Sequence, residues 1–175
     1  MNEIGDLMKK VIPILFLVVL FINFNNNSED IIIPDYAIRF RVIANSNTIE
    51  DQTTKLQVKT IIENKLNTLM LKAKNSEEAK NIIQNNLKEI RTIVDSYSSM
   101  NNVSFGKNYF PEKEYKGITY PSGDYESLVI TLGNGSGNNW WCVMFPPLCL
   151  IDNQDNIENV DYKFYVKEVL DKYLS

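Results

Sequence analysis

The 175-residue chain contains no histidine, two cysteines and three arginines (Arg39, Arg41 and Arg91). Without histidine, no Ser-His or Cys-His nucleophile pair can form. Histidine-based zinc sites are excluded too, and two cysteines are too few for a thiolate-only zinc site. No cofactor or metal is expected. Positive charge is neither abundant nor clustered: the formal net charge is −4 and the pI about 5.0. The electrostatic footprint of a nucleic-acid-binding protein is therefore missing. Asparagine is frequent, which we read as a coding bias and not as a functional signal.

One apolar run, broken only in character by Pro13, stands near the start. Lys9-Lys10 precede Val11 to Ile22, and Asn25-Asn26-Asn27-Ser28-Glu29-Asp30 follow shortly after. A charged n-region before a short h-region is the pattern of a targeting segment. The run falls short of the roughly 20 apolar residues that span a bilayer, and no small-x-small cleavage site follows it. Residues 1–24 are therefore expected to be a signal peptide or an uncleaved N-terminal membrane anchor, residues 25–35 a linker, and residues 36–175 a single domain. The alternative is a buried core helix, against which the missing polar face and the polar linker argue. In an exported chain, Cys142 and Cys149 are a disulfide candidate. Pro146-Pro147 between them impose an extended turn. Two buried free thiols are the alternative.

The remainder reads as β-α-α-β-β-β-α. Tyr36, Ile38, Phe40 and Val42 alternate with Arg39 and Arg41, the period of a half-buried strand. Thr48 with Asp51 and Asn75 with Glu78 are helix-start signals. They open amphipathic helices, the first to about Ala73 and the second past Val94 to Tyr97. Val103 to Tyr109 and Glu126 to Leu132 alternate again. Trp140 to Phe145 is nearly all apolar and reads as a central strand. Gly133-Asn134-Gly135-Ser136-Gly137 then predicts a hairpin joining the last two strands. Asp161 to Leu174 is expected to be helical. The fold class is α+β: a mainly antiparallel sheet of about four strands with helices packed on one face.

Candidate chemistry is sparse. The glycine-rich loop lacks the following helix that a phosphate loop needs. Asp124 and Glu126 lie two apart on one strand, whereas catalytic carboxylates normally come from different elements. Ser122 reads as a turn residue, not a nucleophile elbow. Trp140 and Trp141 point to opposite faces, so one is expected in the core and the other in contact with a sugar or a partner.

Two blocks resemble the stage II sporulation protein R family of spore-forming Firmicutes. The first is Ile38-Arg39-Phe40-Arg41-Val42-Ile43-Ala44-Asn45-Ser46, continuing through Glu50-Asp51-Gln52, Lys55 and Val58-Lys59. The second runs from Tyr120-Pro121-Ser122-Gly123-Asp124-Tyr125-Glu126-Ser127-Leu128, through the glycine-rich loop, to Asn139-Trp140-Trp141-Cys142-Val143-Met144-Phe145-Pro146-Pro147-Leu148-Cys149. Asn47 stands where the family tends to have aspartate, and Ile49 where proline is common. The resemblance implies a non-enzymatic signal, exported from the forespore into the space between forespore and mother cell. There it would activate a membrane-embedded aspartic protease of the mother cell that processes an early pro-sigma factor. Candidate partner contacts are Arg39, Arg41, Asn45, Asn47, Asp51, Gln52 and whichever of Trp140 and Trp141 is exposed. For the arginines the alternative is a solvated strand face, and for the turn, helix capping alone. An extracytoplasmic cell-wall or carbohydrate-binding module is the alternative function.

Overall fold

The computed structural model describes residues 31–149 and 159–174. Its elements run β1 (Ile31–Ile32), β2 (Ile38–Ile43), α1 (Ile49–Met70), α2 (Ser76–Tyr97), β3 (Asn101–Phe110), β4 (Lys113–Tyr115), β5 (Ile118–Tyr120), β6 (Gly123–Leu132), β7 (Asn139–Phe145) and α3 (Asn159–Leu174). The chain is α+β, as its patterning predicts. The expected targeting or anchor segment, residues 1–24, lies outside the described residues. Among those described, no helix is long and apolar enough to cross a membrane. The first described residues are already packed: β1 pairs with β5, and Ile33 is 1% exposed. The C-terminal end of the stretch expected as linker is thus part of the fold.

Among the described residues the main sheet has four strands in the order β3-β6-β2-β7, with β3 and β7 at its edges. It is mixed: β3–β6 and β2–β7 are antiparallel, while β2–β6 is parallel. The expectation of a mainly antiparallel sheet is corrected in that pairing. It is corrected also by a second mixed sheet, β1-β5-β4, which periodicity does not reveal. Strands of two or three residues are too short to display an alternation. β4 and β5 turn over Lys116-Gly117, both at positive φ (49° and 72°), the backbone of a tight two-residue hairpin. Lys-Gly is a weaker turn signal than Asn-Gly.

β6 and β7 are not a hairpin, and β7 is an edge strand of its sheet, not a central one. β2 lies between them, so the glycine-rich loop arches over the end of β2. Skipping one strand needs a span of roughly 10 Å, which residues 133–138 reach easily. The arch is fastened to the turn beneath it. Gly137 and Ser136 donate backbone N–H groups to the carbonyls of Ala44 (2.9 Å) and Asn45 (3.0 Å). Gly137 packs so closely on the Ser46 carbonyl that a Cβ would collide with it. Gly137 lets backbone meet backbone there, and Gly133 and Gly135 supply positive φ (53° and 64°).

α1 and α2 cover one face of the main sheet. Ile38, Phe40 and Val42 meet Val58, Ile62, Leu66 and Met70 of α1 and Ile83, Ile90 and Val94 of α2 in one core. Each such side chain stabilises the fold by about 1.5–3 kcal/mol when fully buried. Thr48 caps α1 by accepting from the Asp51 N–H, and Asn75 caps α2 by accepting from Glu78 N–H. The third helix does not join α1 and α2 in a single layer. α3 packs through Tyr162, Val166 and Leu170 into a second cluster with Ile33, Ala37, Ile118, Val143 and Leu148. Both faces of the sheet are therefore occupied near β7.

Candidate functional site

β2 is covered on both faces. Its odd-numbered residues decide the character of the second one. Arg39, expected to point into solvent, is 3% exposed. Its guanidinium carbon lies 3.9 Å above the Tyr125 ring centroid, 5.2 Å from that of Phe110 and 5.7 Å from that of Tyr120. Nη2 donates to the Pro121 carbonyl at 3.2 Å, and the Tyr125 hydroxyl donates to the same carbonyl at 3.0 Å. Neither a solvated strand face nor a freely exposed contact describes this arginine. Arg41 is half-buried, over Phe110 (4.8 Å) and toward Trp141 (5.9 Å). Cation–π attraction of this kind contributes about 0.5–2 kcal/mol per contact. Burial lowers the pKa of both guanidiniums below the usual arginine range, for Arg39 against an opposing effect from Tyr125 and Tyr120. Among the described residues, neither arginine forms an ion pair. The Nε of each is buried and makes no hydrogen bond.

The two tryptophans take opposite faces of β7, and both are half-buried. Trp140 packs edge-on against Phe40 on the helix side (5.6 Å), with the Lys59 ammonium 4.6 Å from its ring. Trp141 packs edge-on against Phe110 on the arginine side (5.5 Å), with Lys113 5.5 Å from it. The expected division into one core and one contact tryptophan is thus softened: each closes one face and keeps an accessible part. Cys142 and Cys149 are joined as a disulfide, with Cα atoms 5.4 Å apart. The Phe145–Pro146 peptide within that loop is cis. A Glu63 carboxylate oxygen lies within 4.8 Å of both sulfurs. That trio does not fit a metal, because disulfide sulfur offers no thiolate.

The β2–α1 turn is occupied by its own hydrogen bonds. Asp51 accepts from the Ser46 hydroxyl (2.5 Å) and from Asn45 Nδ2 (3.0 Å), which lowers its pKa from the ordinary 3.8, the Ser46 bond foremost. Asn45 Oδ1 accepts from the Asn134 N–H (2.9 Å) and Asn47 Oδ1 from the Asn138 N–H (2.7 Å). Gln52 Nε2 donates to the Ser46 carbonyl (2.9 Å), while its Oε1 accepts from Lys55 Nζ (2.6 Å). Lys55 donates on to the Asn138 carbonyl (3.2 Å). Asn45, Asn47, Asp51 and Gln52 thus tie turn, helix and glycine arch into one unit.

A cleft of about 230 Å³ opens on the arginine side of β7, lined by Arg39, Lys113, Tyr115, Tyr120, Asn139, Trp140, Trp141, Cys142 and Val143. Sequence reasoning missed Lys113, Tyr115 and the caging role of Tyr120 and Tyr125. An available signal was the run of aromatics from Tyr109 to Tyr125 flanking Lys-Gly and Pro-Ser-Gly turns. Asp124 and Glu126 do not join this cleft. They pair across the sheet with Tyr109 and Lys107, on the face of β6 opposite Tyr125 and Ser127.

The two sequence blocks therefore meet in space. Arg39 of the first sits under Tyr120, Pro121 and Tyr125 of the second; Phe40 meets Trp140; Asn45 and Asn47 hold the arch. Comparison with known proteins agrees. The family model described as stage II sporulation protein R matches residues 34–155. The stage II sporulation protein R of Bacillus subtilis (strain 168) is 36% identical over 157 residues, covering 85% of this chain and 70% of the relative. No solved structure matches. The chain belongs to the stage II sporulation protein R family.

Proposed function

We propose that this chain is an exported sporulation signal that activates a membrane-embedded aspartic protease of the mother cell, leading to processing of an early mother-cell pro-sigma factor. The observation that carries the reading is family membership across residues 34–155, which contain both blocks and nearly all of the described sheet. The N-terminal run of Val11 to Ile22 after Lys9-Lys10 supports export from the forespore into the intermembrane space, with the segment cleaved or kept as an anchor. The disulfide is compatible with an oxidising compartment. Activation needs only that the chain bind one state of the protease better than the other. In this reading it is a ligand, not an enzyme.

Co-expression of the full chain with the candidate protease and the pro-sigma substrate in a non-sporulating host tests this. Processing should appear only when this chain is present; processing that is absent, or independent of the chain, sinks the reading. A cell-wall or carbohydrate-binding module is the second reading, favoured by Tyr115, Tyr120 and Trp141 lining one cleft. It requires retention of the chain on purified peptidoglycan.

A further inference from the structure

An arginine as buried as Arg39, a residue 3% exposed, normally has a carboxylate beside it, because desolvating a charge is costly unless it is paired. Among the described residues Arg39 has aromatic faces, the Pro121 carbonyl and the Tyr125 hydroxyl around it but no carboxylate, and its buried Nε makes no hydrogen bond. Arg41, two residues along on the same face, has a buried Nε in the same condition. Arg39 lines the cleft, and a third cation, Lys113, stands at its exposed margin. No aspartate or glutamate is among the described residues that line it. The walls are Tyr115, Tyr120 and Trp141, which give flat apolar sides to a narrow space. Asn139 to Val143, along one side of it, belong to an edge strand.

The geometry points to this cleft as a carboxylate-binding site for an extended segment of a partner protein, with Arg39 as the buried anchor and Lys113 as the rim charge. The planar edge of a guanidinium matches the two oxygens of a carboxylate and strengthens the bond relative to a neutral acceptor. The aromatic walls exclude water and raise the value of the pairing. An extended segment running along β7 can present such a group, since strand addition to a sheet edge places alternate side chains on one face. The site does not rest on the signalling role proposed above: it concerns what the cleft binds, whichever protein supplies it.

The test is a titration of the full chain, in a non-ionic detergent, with three N-acetylated pentapeptides. One is Thr-Val-Glu-Val-Thr as the C-terminal amide, one its Gln counterpart, and one the Gln peptide with a free terminal carboxylate. At least one carboxylate peptide should bind about tenfold more tightly than the Gln amide. Binding should shift the side-chain Nε–H resonance of Arg39 and the indole N–H of Trp141. Whichever carboxylate peptide binds identifies side chain or chain end as the source. R39Q should abolish the preference, and K113A should weaken binding about threefold. Equal binding of all three peptides, or no binding, overturns the site, as does a preference that survives in folded R39Q. Should R39Q fail to fold, the Arg39 resonance and K113A decide, and an unmoved resonance or unchanged affinity overturns it.

Discussion

The two faces of the main sheet both bury cations, and they treat them differently. On the helix face, the Lys59 ammonium lies 2.8 Å from the Glu63 carboxylate, one helical turn away, and against the Trp140 ring. Both side chains are at most 10% exposed. On the other face, Arg39 and Arg41 are enclosed by Phe110, Tyr120, Tyr125 and Trp141. A buried ion pair within α1, against Trp140 of the sheet, belongs to the protein's own interior. A desolvated guanidinium at the floor of a cleft is suited to a group that arrives from outside. The helix face is thus where stability is to be sought, and the arginine face is where recognition is to be sought.

Breaking the helix-face pair should have the largest effect. Glu63→Ala leaves the Lys59 charge buried without its carboxylate, and should cost about 3 kcal/mol or more of unfolding free energy by denaturant titration. The double variant Lys59→Met, Glu63→Leu should recover most of that loss, because a packed apolar pair needs no hydration. Failure to recover would show that the pair is not the source of the cost. Removing the disulfide by Cys142→Ala with Cys149→Ala comes next. Closing so short a loop stabilises by about 2 kcal/mol in the chain-entropy account, read as a lowered denaturant midpoint.

The arginine face should respond the other way. Arg39→Met gives up cation–π attraction but relieves an unpaired buried charge, so stability should change by no more than about 1 kcal/mol. A loss as large as that of Glu63→Ala would erase the distinction between the faces. The smallest effect concerns the turn between them. Hydrogen bonds from Ser46, Asn45 and Thr48 hold the Asp51 pKa below its ordinary 3.8. Its contribution is therefore present in full above about pH 3.8 and is lost as pH falls through the lower folded value. Asp51→Asn should flatten the acid limb of the pH–stability curve and leave the neutral region's slope unchanged, which thermal melts across pH 2–7 would reveal.

Much of this architecture was legible along the chain. Thr48 and Asn75 announce the helix starts because a short side-chain oxygen satisfies N–H groups that have no intrahelical partner. Ile38, Phe40 and Val42 declare a core face through period two, and the stripe of α2 does so through 3.6. The disulfide was one of two open readings, since seven residues of separation allow closure without requiring it. Pairing was less accessible. A glycine-rich loop between two strands reads as a hairpin unless the strand that inserts between them, ninety residues earlier in the chain, is known. The surroundings of Arg39 and Arg41 are equally hidden from a local reading. Alternation shows that they oppose the apolar face, but it cannot show that the opposing face is roofed by Phe110, Tyr120 and Tyr125.

What the residues alone established is local: helix caps, periodicities, the absence of imidazole chemistry, and two blocks specific enough to carry a family resemblance. These follow from interactions within a few positions or from composition. The fold decided the rest. It placed β2 between β6 and β7, turned the glycine loop into an arch over Ala44–Ser46, and converted one polar strand residue, Arg39, into a buried cation at the floor of a cleft. The physical reason is that desolvation and charge pairing depend on what is near in space, and here the decisive neighbours are separated by about eighty positions along the chain.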